Sequence, residues 1–341
     1  MKFVPVEQAI NMVLCHDITE IIPEKRKGPA FKKGHVISVE DIPKLLSLGK
    51  ENIYIWEINE DTCHENEAAE RISSAITGSG IELTAPSEGK VELKATTKGL
   101  LKIKLDPFVE INSIDEMVLA SIHSNQVVEI GQTLAGCRVV PLVISKDKIV
   151  EVEKIASDHY PVVEVLPIHK KKIGVVTTGS EVYKGRIVDK FGPVVKAKIE
   201  KLGSEVIRQI ISDDDIDMIA TAIHTLIEEG AEVIVTTGGM SVDPDDVTPS
   251  GIRKAGGTVI TYGAPVLPGA MFMLADIKGI PVMGLPGCVM YAKSTIFDLV
   301  LPRVLAGEKL TKRDIVTYGH GGLCTRCETC RFPNCSFGKG F

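Results

Sequence analysis

Residues 236–249 read T-T-G-G-M-S-V-D-P-D-D-V-T-P, and an apolar run, A-E-V-I-V, leads straight into them. The run reads as a buried strand. The residues after it are poor material for a core: two glycines, a serine and three aspartates within a few positions. They are good material for exposing backbone N–H groups and carboxylates at a strand end. Neighbouring segments show how that strand is embedded. K-I-G-V-V-T-T-G-S-E upstream is a strand and turn, and F-G-P-V-V-K-A-K-I-E-K-L-G is an amphipathic helix with a glycine stop. S-E-V-I-R-Q-I-I is a strand, and D-D-D-I-D-M-I-A-T-A-I-H-T-L-I-E-E-G is a helix with acidic residues in its first turn, where the helix dipole favours them. T-P-S-G-I-R-K-A-G opens a helix with proline at its first position. I-P-V-M-G-L-P-G is a further strand and turn, and V-M-Y-A-K-S-T-I-F-D-L-V-L-P-R-V-L a further helix. Alternation of this kind predicts an α/β fold in three layers, a parallel sheet between two sets of helices, over residues 169–309.

Ligands of such sheets sit outside the carboxyl ends of the strands. Four turns fall at that edge: T-T-G-S-E (177–181), S-D-D-D (212–215), the 236–249 stretch and L-P-G-C (285–288). Gly179, Gly238, Gly239 and Gly287 let backbone approach a ligand closely. Thr178 and Ser241 offer hydroxyls, and helix starts add N–H groups for phosphate oxygens. Glu181, Asp214 and Asp246 suit a metal ion or the N–H edge of a polar heterocycle. Taken singly, each is also an ordinary turn or N-cap residue. The convergence of four turns favours a site. None matches a Walker A motif or G-x-G-x-x-G.

Residues 169–309 resemble the molybdopterin-binding fold shared by molybdopterin adenylyltransferases and molybdenum insertases. T-T-G-S-E-V is similar to the insertase pattern T-G-D/S-E-L, S-D-D-D-I-D-M-I to P-D-D-x-x-x-I, and T-T-G-G-M-S-V to S-G-G-V-S-V. D-D-V-T-P is similar to R-D-V-T-P of the adenylyltransferases, and L-P-G to the L-P-G-N-P turn. The resemblance implies that Thr178, Gly179, Glu181, Asp214, Gly238, Gly239, Ser241, Asp246, Pro286 and Gly287 line a site for the pterin phosphate. Asp246 and Asp214 would be its catalytic aspartates if ATP and Mg2+ are used. Where insertases carry lysines around a P-G-K-P turn, this chain has Leu267 and Ala270. Lys184, Arg186 and Lys293 are the cations near the relevant turns. The resemblance implies a role in molybdenum cofactor biosynthesis or delivery. The partners would be molybdopterin and a molybdoenzyme or cofactor-synthesis protein, and the chain would form a homo-oligomer. An ATP- and Mg2+-dependent adenylyl- or molybdenum-transferase is the enzymatic alternative.

The other regions differ in texture. A chain of 341 residues is long enough for two or three domains. Residues 1–168 hold short apolar runs (F-V-P-V, N-I-Y-I-W, K-V-E-L-K-A, G-L-L-K-I-K-L, M-V-L-A-S-I, R-V-V-P-L-V-I) and two helices, V-E-D-I-P-K-L-L-S-L-G-K and E-N-E-A-A-E-R-I-S-S-A-I. This predicts a mostly-β or α+β region. Its leading segment resembles bacterial proteins described as molybdopterin-binding proteins. His16 and His35 are candidate bases or ligands there, or structural residues near turns.

Residues 310–341 form a tail with Cys324, Cys327, Cys330 and Cys335 in the spacing C-x2-C-x2-C-x4-C. Four cysteines this close suit zinc or an iron–sulfur cluster, with His320 as a spare ligand. With such a group the tail would act as a metal or redox sensor. Cys288 lies in the L-P-G-C turn, where a helix start would lower its pKa. The net charge is −6, which excludes the basic footprint of a nucleic-acid binder. The first residues lack a signal-peptide pattern, and no apolar run reaches membrane-spanning length. The sequence thus predicts a cytoplasmic protein.

Overall fold

The computed structural model describes residues 2–22, 26–55, 61–241 and 243–340. Trp56, the end of the N-I-Y-I-W run, and Val242 of the glycine-rich turn lie outside the described residues. The chain forms two compact units. One gathers Met1–Thr97, Ile103–Ile122 and Ile130–Val165; the other gathers Lys98–Lys102, His123–Glu129 and Leu166–Phe341.

The C-terminal unit is built on one six-stranded sheet. Its strands are β1 (Lys172–Thr178), β2 (Glu205–Ser212), β3 (Val233–Thr237), β4 (Thr258–Tyr262), β5 (Met273–Ile277) and β6 (Ile280–Leu285), in the spatial order β2-β1-β3-β6-β5-β4. Side chains alternate between two cores, as the period of two in a strand requires. Val175, Val235, Met283 and Leu285 face one side with Val195, Ile199, Phe297 and Leu301 of helices α2 (Phe191–Lys201) and α5 (Ile296–Leu305). Val176, Ile234, Ala275 and Val282 face the other, with Ile219, Ile223 and Leu226 of α3 (Ile216–Glu228) and Ile252 of α4 (Thr248–Lys254).

The sheet is mixed, which corrects the all-parallel expectation. The strands β2, β1, β3 and β6 pair in parallel, but β5 runs antiparallel to both β6 and β4. The reason is local. Only Lys278 and Gly279 join β5 to β6, at φ 53° and 89°. Two residues with positive φ make a tight hairpin, and a hairpin can only join antiparallel strands. The apolar run after Leu285 also breaks earlier than expected. Gly287–Met290 is a single 3₁₀ turn, and α5 starts at Ile296 behind a capping box of Thr295 and Asp298.

The N-terminal unit is a patchwork of small antiparallel sheets. Lys2–Pro5 pairs with Asn52–Ile55, Ile18–Ile22 with Arg26–Phe31, and Thr62–His64 with Val143–Ser145. A four-stranded sheet runs Ile81–Leu83, Lys90–Ala95, Thr133–Val139, Met117–Ser121. The helix Glu65–Ile76 buries Ala68, Ala69, Ile72 and Ile76 on one stripe. Two further helices, Leu105–Asn112 and Lys146–Asp158, make this unit α+β rather than mostly β.

Candidate functional site

The carboxyl edge of the sheet is assembled by hydroxyl groups. Gln209 Nε2 donates to Thr177 Oγ1 at 2.8 Å and to Asp189 Oδ2 at 2.6 Å. Thr237 Oγ1 donates to Thr177 Oγ1 at 3.2 Å. Thr178 Oγ1 donates to the Thr237 carbonyl at 3.2 Å and lies 2.9 Å from Thr248 Oγ1. A hydroxyl has one proton, so Thr248 is the donor in that last bond. Thr177, Thr178, Thr237 and Thr248 are all buried. The ladder therefore ties the end of β1 to the end of β3 and to the first residue of α4.

Against it lies the glycine turn. Gly238 and Gly239 take φ 87° and 53°. A Cβ on Gly238 would stand 2.2 Å from the Thr178 carbonyl oxygen, and one on Gly239 2.6 Å from Thr248 Oγ1. The same turn is held from outside by Tyr262, whose hydroxyl donates to the Met240 carbonyl at 3.1 Å. Thr248 N donates to the Gly239 carbonyl at 3.2 Å. Carbonyls of this turn are thus taken, while among the described residues the amides of Gly239, Met240 and Ser241 donate to nothing. Consecutive uncommitted amides at a strand end form an anion cradle. Nothing stands within 4 Å of where a Gly287 Cβ would be, so the turn after Pro286 is open.

The carboxylates do a different job. Asp214 Oδ2 accepts from Ser180 N at 2.8 Å. Asp213, which the sequence did not single out, accepts from the Ser180 hydroxyl, and Lys184 Nζ lies 3.5 Å from its Oδ2. The Ser180 hydroxyl, the Asp214 amide and Lys184 hold its carboxyl below the usual range. Asp246 Oδ2 accepts from Asp243 N at 3.0 Å and so fastens its own loop. Glu181 sits on the four-residue helix Ser180–Tyr183, beside Gly179. The structure therefore brings Thr178, Gly238 and Gly239 together, and Gly179 with Asp214. It leaves Ser241 exposed and Asp246 further along the same β3–α4 loop, tied to Asp243. Among the described residues no three His, Cys, Asp or Glu side chains converge as metal ligands. Thr177, Thr248, Gln209 and Asp189 were also missed. Thr248 was visible as the residue before a helix-starting proline, but nothing local marks a partner from another strand.

The loop bearing Leu267 and Ala270 joins β4 to β5, and the cysteine tail is docked on it. Leu267 N donates to the Gly322 carbonyl at 2.8 Å, and Cys324 N to the Leu267 carbonyl at 2.8 Å. Phe337 is buried in the core, and Phe332, Cys324 and Cys335 pack against it. Cys327 and Cys330 are exposed. Cys330 Sγ lies 3.6 Å from Ser294 Oγ, on the loop beyond the Gly287 turn. The Phe332 amide and the Ser294 hydroxyl pull its pKa down. The four thiols are therefore split, two inward and two outward, rather than gathered. His320 is exposed, and no group of metal ligands among the described residues includes it. Cys288 is half-buried, and burial pushes its pKa up, opposite to the expectation.

The loop carrying Lys293 is clamped from α2. Lys198 Nζ donates to the Lys293 carbonyl at 2.9 Å and to Asp298 Oδ1 at 2.5 Å. Asp298 in turn caps Thr295.

In the N-terminal unit, His16, His35 and His64 each have a packing or hydrogen-bond partner. His35 Nε2 lies 2.7 Å from Asp41 Oδ2, inside the Ser38–Asp41 capping box. His16 packs edge-on to Tyr54 with ring centroids 6.2 Å apart, and burial lowers its pKa. His64 Nδ1 accepts from Asn66 N at 3.2 Å, so Nε2 carries the proton given to the Cys15 carbonyl at 2.7 Å. Glu65 is different. It is 9% exposed, and among the described residues its carboxyl makes no hydrogen bond or ion pair. Burial pushes its pKa up; Arg138 and Lys33 oppose that, and Asp17 and Glu88 add to it.

Glycine turns, buried hydroxyls and uncommitted amides make the carboxyl edge of this open α/β domain the candidate ligand site. Residues 174–306 match the family described as "Probable molybdopterin binding domain". Residues 3–57 match a domain of unknown function. The chain is 35% identical over 101 residues to a molybdopterin adenylyltransferase of Pyrococcus furiosus, covering 28% of this chain and 59% of that protein. It is 30% identical over 135 residues to a molybdopterin molybdenumtransferase of Staphylococcus aureus, covering 38% of this chain and 32% of that one. The matches thus span about three-fifths and one-third of those relatives. The crystal structure of the tungsten cofactor synthesizing protein MoaB from Pyrococcus furiosus aligns with 40% of this chain and 91% of its own, at 24% identity and a TM-score of 0.33. No helix among the described residues is long and apolar enough to cross a membrane.

Proposed function

We propose that this protein binds molybdopterin at the carboxyl edge of the C-terminal sheet and serves the biosynthesis or delivery of the molybdenum cofactor. The supporting observation is the Gly238–Gly239 turn. It is pinned by Thr178, Thr248 and Tyr262, and its next amides point at no partner among the described residues. Those amides, with Thr178 and the backbone at Gly179, Pro286 and Gly287, would hold the pterin phosphate. Glu181, Asp214, Ser241 and Asp246 would border the ring. In this reading residues 169–309 are the binding region, 1–168 and 310–341 are accessory, and the protein acts in the cytoplasm as a homo-oligomer. A molybdoenzyme or another cofactor-synthesis protein would receive the ligand.

Binding and transfer to that partner, rather than ATP-driven chemistry, is the reading the aspartates favour. Asp214 and Asp246 are engaged by backbone amides, and the cation nearest Asp213 is already paired with it. Incubation of the chain with molybdopterin, with and without ATP and Mg2+, separates the cases. Retention of unmodified pterin with no ATP consumed is the expected outcome. Adenylylated or metallated pterin would make it a transferase instead. Absence of binding would remove the reading altogether.

A further inference from the structure

In a trans peptide the C=O and the following N–H lie in one plane and point in opposite directions. A donor that fastens a carbonyl of the Gly238–Ser241 turn therefore also aims the next amide. Thr248 N donates to the Gly239 carbonyl at 3.2 Å, which turns the Met240 N–H away from the start of α4. Tyr262 does the same for the next peptide. Its hydroxyl lies 3.1 Å from the Met240 carbonyl and 3.5 Å from the Ser241 carbonyl. With one proton to give, it serves the nearer oxygen. The Ser241 N–H is thereby turned away from Tyr262.

Tyr262 reaches this turn because it ends β4, which runs in the same direction as β6 and so closes on the same carboxyl edge. The guanidinium of Arg253, on α4, lies over its ring at 5.9 Å from the centroid. The Met240 side chain is buried, and a Cβ on Gly284 would stand 2.6 Å from its Cε. Residue 240 is thus held by its side chain against β6 and by its carbonyl against β4.

We propose that Tyr262 is a positioning residue: its hydroxyl keeps the Met240–Ser241 peptide from flipping, so that the turn offers an anion N–H groups and no carbonyl oxygen. The proposal rests on the reading that this edge takes the pterin phosphate. A flipped peptide would put the Met240 carbonyl where the Ser241 N–H now points, and its lone pairs would repel a phosphate. The cost would fall on the phosphate and not on the ring.

The test compares the full wild-type chain with Tyr262→Phe, which removes only the hydroxyl. The probes are molybdopterin and its dephosphorylated form, and the amide resonances of Met240 and Ser241 are followed in the ligand-free proteins. Tyr262→Phe should bind molybdopterin about three- to tenfold more weakly, the share of one hydrogen bond. Its affinity for the dephosphorylated form and its melting temperature should stay close to those of the wild type, and the Ser241 amide resonance should move. Equal weakening for both probes would mean a general loosening and overturn the proposal, as would wild-type affinity for molybdopterin. A wild-type chain that retains no molybdopterin would remove the pterin reading instead. The positioning role would then be decided by the Ser241 resonance, and an unchanged signal in Tyr262→Phe would overturn it.

Discussion

The two units handle their polar side chains in opposite ways. In the C-terminal unit one large sheet collects its buried threonines at a single edge, and each hydroxyl finds a partner there. Its deeply buried Arg303 is met by Glu308 and Asp314 at 2.8 Å and by the Tyr318 hydroxyl at 3.3 Å. The N-terminal unit is made of sheets of two to four strands, and its short elements leave Glu65 buried with no such partner among the described residues. The difference teaches where function is to be sought. A continuous sheet can line up mutually bonded hydroxyls along one edge, whereas short separate sheets leave a buried carboxyl such as Glu65 without a matching donor among the described residues.

Substitutions can break that contrast, starting with the largest effect. Gly238→Ala forces a Cβ against the Thr178 carbonyl at positive φ, and should cost about 4 kcal/mol or more and abolish ligand binding. Gly185→Ala, at φ 67° with nothing within 4 Å, should cost only about 1 kcal/mol in the same denaturant titration. If the two cost the same, the close approach at the edge is not what fixes the turn. Arg303→Met should cost about 3–5 kcal/mol, because it leaves the Asp314 carboxyl without its cation and Glu308 with Lys102 alone, 2.7 Å from its Oε1. Thr248→Val removes one rung of the ladder and should cost about 1–2 kcal/mol, with ligand affinity falling alongside.

Acidity sharpens the comparison. Burial raises the Asp314 pKa, but bonds from Thr311 and Arg303 outweigh it and hold the carboxyl at about 2, below its ordinary 3.8. A depressed carboxylate stabilises the fold above its unfolded pKa, and that contribution is lost as pH falls from 3.8 towards 2. Glu65 has the opposite sign. Its raised pKa means the folded unit prefers the protonated acid, so stability is lost as pH rises through the folded value. Glu65→Gln should therefore raise the melting temperature of the N-terminal unit at neutral pH and change little in acid. No gain at neutral pH would mean that the carboxyl is compensated by Lys33 and Arg138 after all.

How much of the molecule was legible depends on how local the cause is. Strand–helix alternation over 169–309 revealed the helices and four of the six strands, because burial on both faces writes continuous apolar runs. The hairpin of β5 and β6 was missed, since Lys278–Gly279 is a weaker turn signal than Asn-Gly. Helix Lys146–Asp158 was missed too, although its N-cap Ser145 and the spacing of Ile149, Val152 and Ala156 are in the sequence. At the site, Gly238 and Gly239 were readable from composition. Asp213 was not, because its role comes from Ser180 and Lys184 on another turn. The splitting of the cysteine tail was equally hidden: the spacing says that four thiols are near one another, and only packing against Phe337 says which way each faces.

The threonine ladder also offers a spectroscopic handle. Hydroxyl protons that are both buried and committed to an acceptor trade slowly with water. Those of Thr178, Thr237 and Thr248 should then give their own proton resonances. A ligand entering over Gly239 would shift the Thr248 signal first, and the chain would report occupancy of its edge without any label.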